Sequence, residues 1–228
     1  METTTINQAI QDVLAVIREN QTAQEVNYTN QQIAESKKLF FNVARSICPS
    51  FVIDNVNRDA VDKVFRYAMR IPVEGIDLNR GLWLHGDIGT GKTTLLKIYQ
   101  KFIDITYPRT LSSRISDRAR FRIYPCMSVC LDFASQGYDV LKSHIDKTAA
   151  YDELGSEPRV TNYYGTPVNV FEYLLQIRYG RGDLKTHVTT NLTMEQIAER
   201  YGDRIEDRCM EMFNRIEMNG DSRRHGVL

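Results

Sequence analysis

The chain has 228 residues, with 29 Lys and Arg balanced by 29 Asp and Glu. Zero net charge removes any global pull toward nucleic acid or an acidic membrane, so such binding has to come from a local patch. With 42% hydrophobic and 25% charged residues, no long apolar run, and no secretion signal in Met1-Glu2-Thr3-Thr4-Thr5, the composition is that of a soluble globular protein and argues against collagen, disorder, export and a membrane span.

In chain order, Ile6, Ala9, Ile10, Val13, Leu14 and Ile17 recur at three-and-four spacing and predict an amphipathic helix. The stretch Glu19 to Asn30, rich in Asn, Gln and Thr, reads as a loop. A second helix is expected over about 31–47, with Ile33, Leu39, Phe40, Val43 and Ala44 inward and Pro49 ending it. Asn57 to Met69 predicts a helix, and Gly81 to His85 a short apolar strand. Strand-like runs at 121–124, 149–151, 186–190 and 213–218 then alternate with helical periodicity, notably at 168–179 and 194–201. Such alternation predicts an α/β fold with a central parallel sheet and helices on both faces. Cys48, Cys126, Cys130 and Cys209 form no C-x-x-C pair, and no metal site or disulfide is expected of them, only reduced thiols in a cytoplasmic protein.

The strand at 82–85 runs into Gly86-Asp87-Ile88-Gly89-Thr90-Gly91-Lys92-Thr93-Thr94. This is G-x-x-x-x-G-K-[ST] between a strand and an apolar helix, the context that a phosphate-binding loop requires. The glycines let backbone N–H groups close on a phosphate, and the helix N-terminus adds partial positive charge. Lys92 has the reach for the β- and γ-phosphates, and the Thr93 hydroxyl for Mg²⁺. ATP and Mg²⁺ are therefore the expected ligands. The bland alternative is a glycine-rich turn with an exposed lysine.

Hydrolysis needs more than this loop. Asp152 and Glu153, in Tyr151-Asp152-Glu153-Leu154-Gly155, follow a weakly apolar strand whose C-terminal end lies near the loop in a doubly wound sheet. Asp152 suits Mg²⁺, and Glu153 suits a general base acting on water. An exposed Asp-Glu turn is the alternative.

With Gly86 to Thr94, Tyr151 to Gly155, Val188-Thr189-Thr190-Asn191 and Tyr201 to Arg208 in this order, the chain resembles an AAA+ ATPase over about residues 51–224. In detail it looks like the DnaC/DnaI/IstB group of helicase loaders and transposon-encoded relatives, through the Glu-Leu-Gly after Asp152 and the helix ending Gln176-Ile177-Arg178-Tyr179. The resemblance implies a three-layer P-loop fold with an ATPase core at 51–228. The helical segment at 1–50 carries no matching motif and is expected to dock a partner, because it has amphipathic stripes and no chemistry. It makes Asn191 a sensor of the attacking water or γ-phosphate, with a turn or cap role as the alternative. It makes Arg208 an arginine finger acting in trans, with Arg204 as alternate and surface ion pairs as the competing reading. Only ten residues follow the last strand, so the family's helical lid is reduced or absent. Arg223 or Arg224 is then expected to reach a phosphate from the tail, unless the end is simply loose.

Arg109, Arg114, Arg118, Arg120 and Arg122 face one acid, Asp117. Local charge of this kind can grip single-stranded DNA, with Tyr107 and Tyr124 as stacking partners; a solvated loop or a contact to an acidic neighbouring subunit is the alternative. Tyr163 and Tyr164 read as packing or interface residues. The function expected is that of an oligomeric ATPase acting on a replicative helicase and single-stranded DNA. An IstB-like transposition helper acting with a transposase, a small-molecule kinase and a nucleotide-binding scaffold without turnover are the other readings.

Overall fold

Leu82, Trp83 and Leu84 are all buried, so the strand they form is covered on both faces, as a central parallel strand must be. The computed structural model describes residues 28–106, 119–182 and 184–224. The expected helix at 6–17 lies outside them.

Helices α1 (Asn30–Ile47) and α2 (Arg58–Met69) precede β1 (Gly81–His85) and α3 (Lys92–Thr106). Then come β2 (Arg122–Pro125), α4 (Cys126–Gln136), α5 (Tyr138–Ile145) and β3 (Ala149–Leu154). A hairpin, β4 (Thr161–Tyr163) and β5 (Thr166–Val168), leads to α6 (Val170–Arg181) and β6 (Thr186–Thr190). The described chain closes with α7 (Met194–Tyr201), α8 (Asp203–Met212) and β7 (Phe213–Glu217). Five strands form one parallel sheet in the order β2-β3-β6-β1-β7. Leaving out the hairpin, that is 2-3-4-1-5. The end of β6 therefore stands between the loop after β1 and the carboxylates of β3.

The chain divides into two compact units. The first takes in described residues up to Leu78 and those from Thr94 to Arg120. Its centre is three phenylalanines from three helices: Phe40 lies 5.6 Å from Phe65 and 5.2 Å from Phe102, ring centre to ring centre. Thr29 caps α1 reciprocally with Gln32.

The second unit holds the sheet. Trp83, Tyr151 and Val188 on one sheet face pack with Phe133 of α4 and Phe171 and Leu174 of α6. The polar residues of β6 are buried as well, and each takes part in side-chain hydrogen bonding. Thr186 Oγ1 accepts from Arg178 Nε (2.7 Å), and His187 Nδ1 accepts from the Leu82 amide (3.1 Å). Arg178 also donates to the carbonyls of His144, Lys147 and Lys185. It thus braces the N-terminal ends of β3 and β6, opposite the phosphate loop.

Candidate functional site

The loop from Gly86 to Gly91 leaves β1 and enters α3 at Lys92, with Thr93 and Thr94 next. Gly86, Gly89 and Gly91 all have positive φ (127°, 83° and 101°), which L side chains rarely adopt. Thr90 Oγ1 donates to the Asp87 carbonyl (2.9 Å), closing the turn, and Ile88 stands exposed at its tip. Lys92 is buried, its ammonium donating to the Gly86 carbonyl (2.8 Å) and to that of Asp87. Burial pushes this ammonium below the ordinary lysine range and the charge of Arg224 adds to that, while Asp87, Glu153 and Asp152 oppose it.

Asp152 is buried at the C-terminal part of β3. Its Oδ1 accepts from Thr93 Oγ1 (2.8 Å) and from Thr189 Oγ1 (2.6 Å). Thr189 Oγ1 in turn accepts the Glu153 amide (2.9 Å). The pairing of β3 with β6 shifts between Tyr151 and Leu154, and Glu153 sits in that bulge with φ +61°. β-Bulges re-aim side chains next to active sites. Here Asp152 stays inside and Glu153 is exposed. The strand expected to end near 151 thus continues through both carboxylates, and they are not on a free turn.

Asn191 is exposed just past β6. The cap of α7 is filled by Thr193, reciprocally with Gln196, so Asn191 is not needed for that role. Arg204 is exposed on α8. Arg208 is half-buried, with its guanidinium 4.8 Å from the Tyr179 ring centre. Neither makes an ion pair among the described residues, and Arg208 Nη1 is buried there without a hydrogen-bond partner.

The tail lies along the phosphate loop. The amides of Met218, Gly220 and Arg223 donate to His85 O (2.7 Å), Asp87 Oδ2 (3.0 Å) and Gly89 O (2.9 Å). A Cβ on Gly89 would lie 2.2 Å from Ser222 Oγ, so glycine there serves the tail contact as well as the turn. Among the described residues no helix follows β7. The described tail runs through Arg224.

Of the arginine patch, Arg109, Arg114 and Arg118 lie outside the described residues, as does Tyr107. Arg120 pairs with Asp104 at 3.8 Å, and Arg122 is exposed at the start of β2. Tyr124 is engaged in packing, 4.4 Å from the His144 ring. Tyr163 packs on Phe133, whereas Tyr164 at the hairpin tip is 91% exposed.

The same architecture recurs among solved structures. The DnaC helicase loader matches with a TM-score of 0.55 at 17% identity, over 79% of this chain and 99% of that one. DnaI matches at 0.52 and 23% identity, over 78% and 93%. A putative primosome component from Streptococcus pyogenes serotype M3 matches at 0.54 and 17%, over 76% and 85%. The fold is the P-loop α/β fold of the AAA+ type that these structures share. No family model and no curated protein sequence matches the chain.

Within this AAA+ fold, sequence reasoning missed Thr189 and the tail contacts. Thr189 was legible in one respect: it stands two residues before Asn191, on the same strand face. Nothing in Asn219 to Arg224 signals a segment held by backbone amides. No group of His, Cys, Asp and Glu with metal-holding geometry occurs among the described residues, and no helix among them is long and apolar enough to cross a membrane.

Proposed function

We propose that the chain binds ATP with Mg²⁺ and hydrolyses it as an oligomeric AAA+ ATPase that acts on a replicative helicase and single-stranded DNA. The observation that carries this reading is the chain of hydrogen bonds from Thr93 to Asp152 to Thr189 beside a glycine loop that ends in Lys92. Thr93 and Asp152 bring a hydroxyl and a carboxylate oxygen within 2.8 Å, hard donors of the kind Mg²⁺ takes. Mg²⁺ bound there supplies charge neutralisation on the phosphates.

The chain's own residues account for the rest. Lys92 exchanges two neutral carbonyl acceptors for charged phosphate oxygens, which are stronger ones. Glu153, exposed and aimed by the bulge, takes the proton of a water that attacks the γ-phosphorus as the bond to the bridging oxygen breaks. Asn191 both donates and accepts, which suits a group that orients that water. Arg208, or the exposed Arg204, stabilises transition-state charge from a neighbouring subunit. Arg224 adds charge from the tail, and Thr94 extends the polar surface of the loop.

The likeness to helicase loaders supports a helicase as partner over a transposase. A small-molecule kinase would need a lid and an acceptor site and has no use for Glu153 beside Asp152. Segment 1–50 is assigned to partner docking. Phe40, Val43 and Ala44 of α1 are buried, so the stripe at 6–17 is the part assigned to the partner. The protein is placed in the cytoplasm.

Lys92→Ala tests the reading. Titration with a fluorescent ATP analogue should show binding lost in this variant, with phosphate release at background. Tight ATP binding by the variant would remove the phosphate-loop assignment.

A further inference from the structure

Glu157 is a charged residue in the loop after β3, yet only 4% exposed. An ionised side chain is rarely so buried unless it is paired and hydrogen-bonded. Its Oε2 accepts the Gly155 amide (2.8 Å). Its Oε1 accepts the Tyr201 hydroxyl and, at 3.4 Å, Arg200 Nε. Its backbone carbonyl accepts Arg200 Nη2. Arg200 and Tyr201 are the last two residues of α7, and the Arg200 carbonyl accepts Asn169 Nδ2 at the start of α6 (3.2 Å).

Two further links join the same stretches. Thr190 Oγ1 donates to the Leu154 carbonyl (2.6 Å) and accepts the Leu192 amide (3.0 Å). Leu192 fills the space that a Cβ on Gly155 would need, 2.5 Å from its Cδ1. The segment leaving Asp152 and Glu153 is therefore bolted, at Leu154, Gly155 and Glu157, to the segment that carries Asn191 and leads through Gly202 into α8. None of these bonds touches the phosphate loop.

We propose that Glu157 is a positioning residue, which through Arg200 and Tyr201 holds the Glu153 bulge in register with Asn191 and the α7–α8 corner. The inference rests on the ATPase reading only for its kinetic consequence. Small misalignments of a catalytic group are costly: about 1 Å can remove about 100-fold in rate. Glu157→Gln keeps the size of the side chain but loses its charge and one of its two accepting oxygens, because the amide NH₂ that replaces it only donates.

The test uses the full chain. In Mg-ATP turnover, Glu157→Gln should lower kcat by roughly 10–100-fold with KM and ATP affinity within about twofold, because alignment and not binding is lost. Tyr201→Phe should fall between it and wild type, and Glu157→Asp should restore part of the loss. In a Glu153→Gln background the same change should have no further effect on kcat, since the group being aligned is gone. Unchanged kcat, or an equal loss in both backgrounds, overturns the proposal. Hydrogen exchange decides the point independently of turnover. Glu157→Gln should speed exchange in peptides covering 153–157 and 190–193 together, leaving β1 and α4 protected. Faster exchange in the first peptide alone overturns the clamp. A wild-type protein without ATPase activity counts against the proposed function, while the exchange result still decides the clamp.

Discussion

Asp152 Oδ1 accepts two hydroxyl hydrogen bonds, and the second of these hydroxyls also holds the backbone of Glu153. A glutamate at φ +61° stands in a region that costs of order 1–3 kcal/mol for a non-glycine residue. The Glu153 amide bond to Thr189 and the burial of its neighbours Asp152 and Leu154 offset this. The identities of the two carboxylates were legible in the sequence; the bulge was not. Nothing in Ala-Ala-Tyr-Asp-Glu-Leu marks where a period-two strand slips by one residue, because the slip is set by the Thr189 hydroxyl on another strand. The histidines carry a pH prediction at this same scale. Burial holds His85 and His144 below the ordinary imidazole value of 6.5, and His187 well below it. The unfolded chain then binds protons that the folded chain refuses. Stability is full above about pH 6.5 and is lost as pH falls through that value, most of all through His187. Urea midpoints should drop accordingly between neutral and mildly acid pH; a flat profile would contradict the burial of these rings.

Among the elements, β1, β6, α2 and α7 formed where hydrophobic periodicity and capping residues put them. β6 reads as a strand even though its residues are mostly polar, since Thr and Val are β-branched and each polar side chain makes a hydrogen bond in the fold. Helices α4 and α5 and the β4–β5 hairpin were not legible. α4 follows directly on Pro125 without a side-chain cap, and the two hairpin strands are three residues each around Tyr164-Gly165, where both residues have positive φ. A tyrosine at a position that favours Asn or Gly gives no turn signal. The tail carries a prediction at this scale. A chain ending at Met218 keeps the bond to His85 but loses those from Gly220 to Asp87 and from Arg223 to Gly89. Two hydrogen bonds of about 1 kcal/mol each correspond to roughly 10–30-fold in affinity. The unfolding midpoint should fall by an amount equivalent to at most about 2 kcal/mol, and ATP binding should weaken by up to that factor if the tail also holds the loop in its binding shape. Unchanged affinity would make the tail a passive covering.

Over the whole molecule, zero net charge says nothing about partners because it averages local features. The sequence places an acidic excess before Lys37 and five arginines between 109 and 122. Of these arginines, Arg120 is already tied to Asp104. The assembly expected of this fold makes a prediction no single chain can test. Mixing Arg208→Ala subunits with Glu153→Gln subunits should restore part of the ATPase activity, since each supplies what the other lacks across an interface. Arg208 lies over Tyr179, so the same mixture with Arg204→Ala decides between the two arginines. No rescue by either, with assembly intact, would confine both to local roles. The central claim, that this fold hydrolyses ATP with Glu153 as base, is tested most directly by phosphate release from Glu153→Gln beside wild type under saturating Mg-ATP. The account predicts ATP binding preserved and turnover lowered by about 10²–10⁴-fold; wild-type turnover in the variant would contradict it.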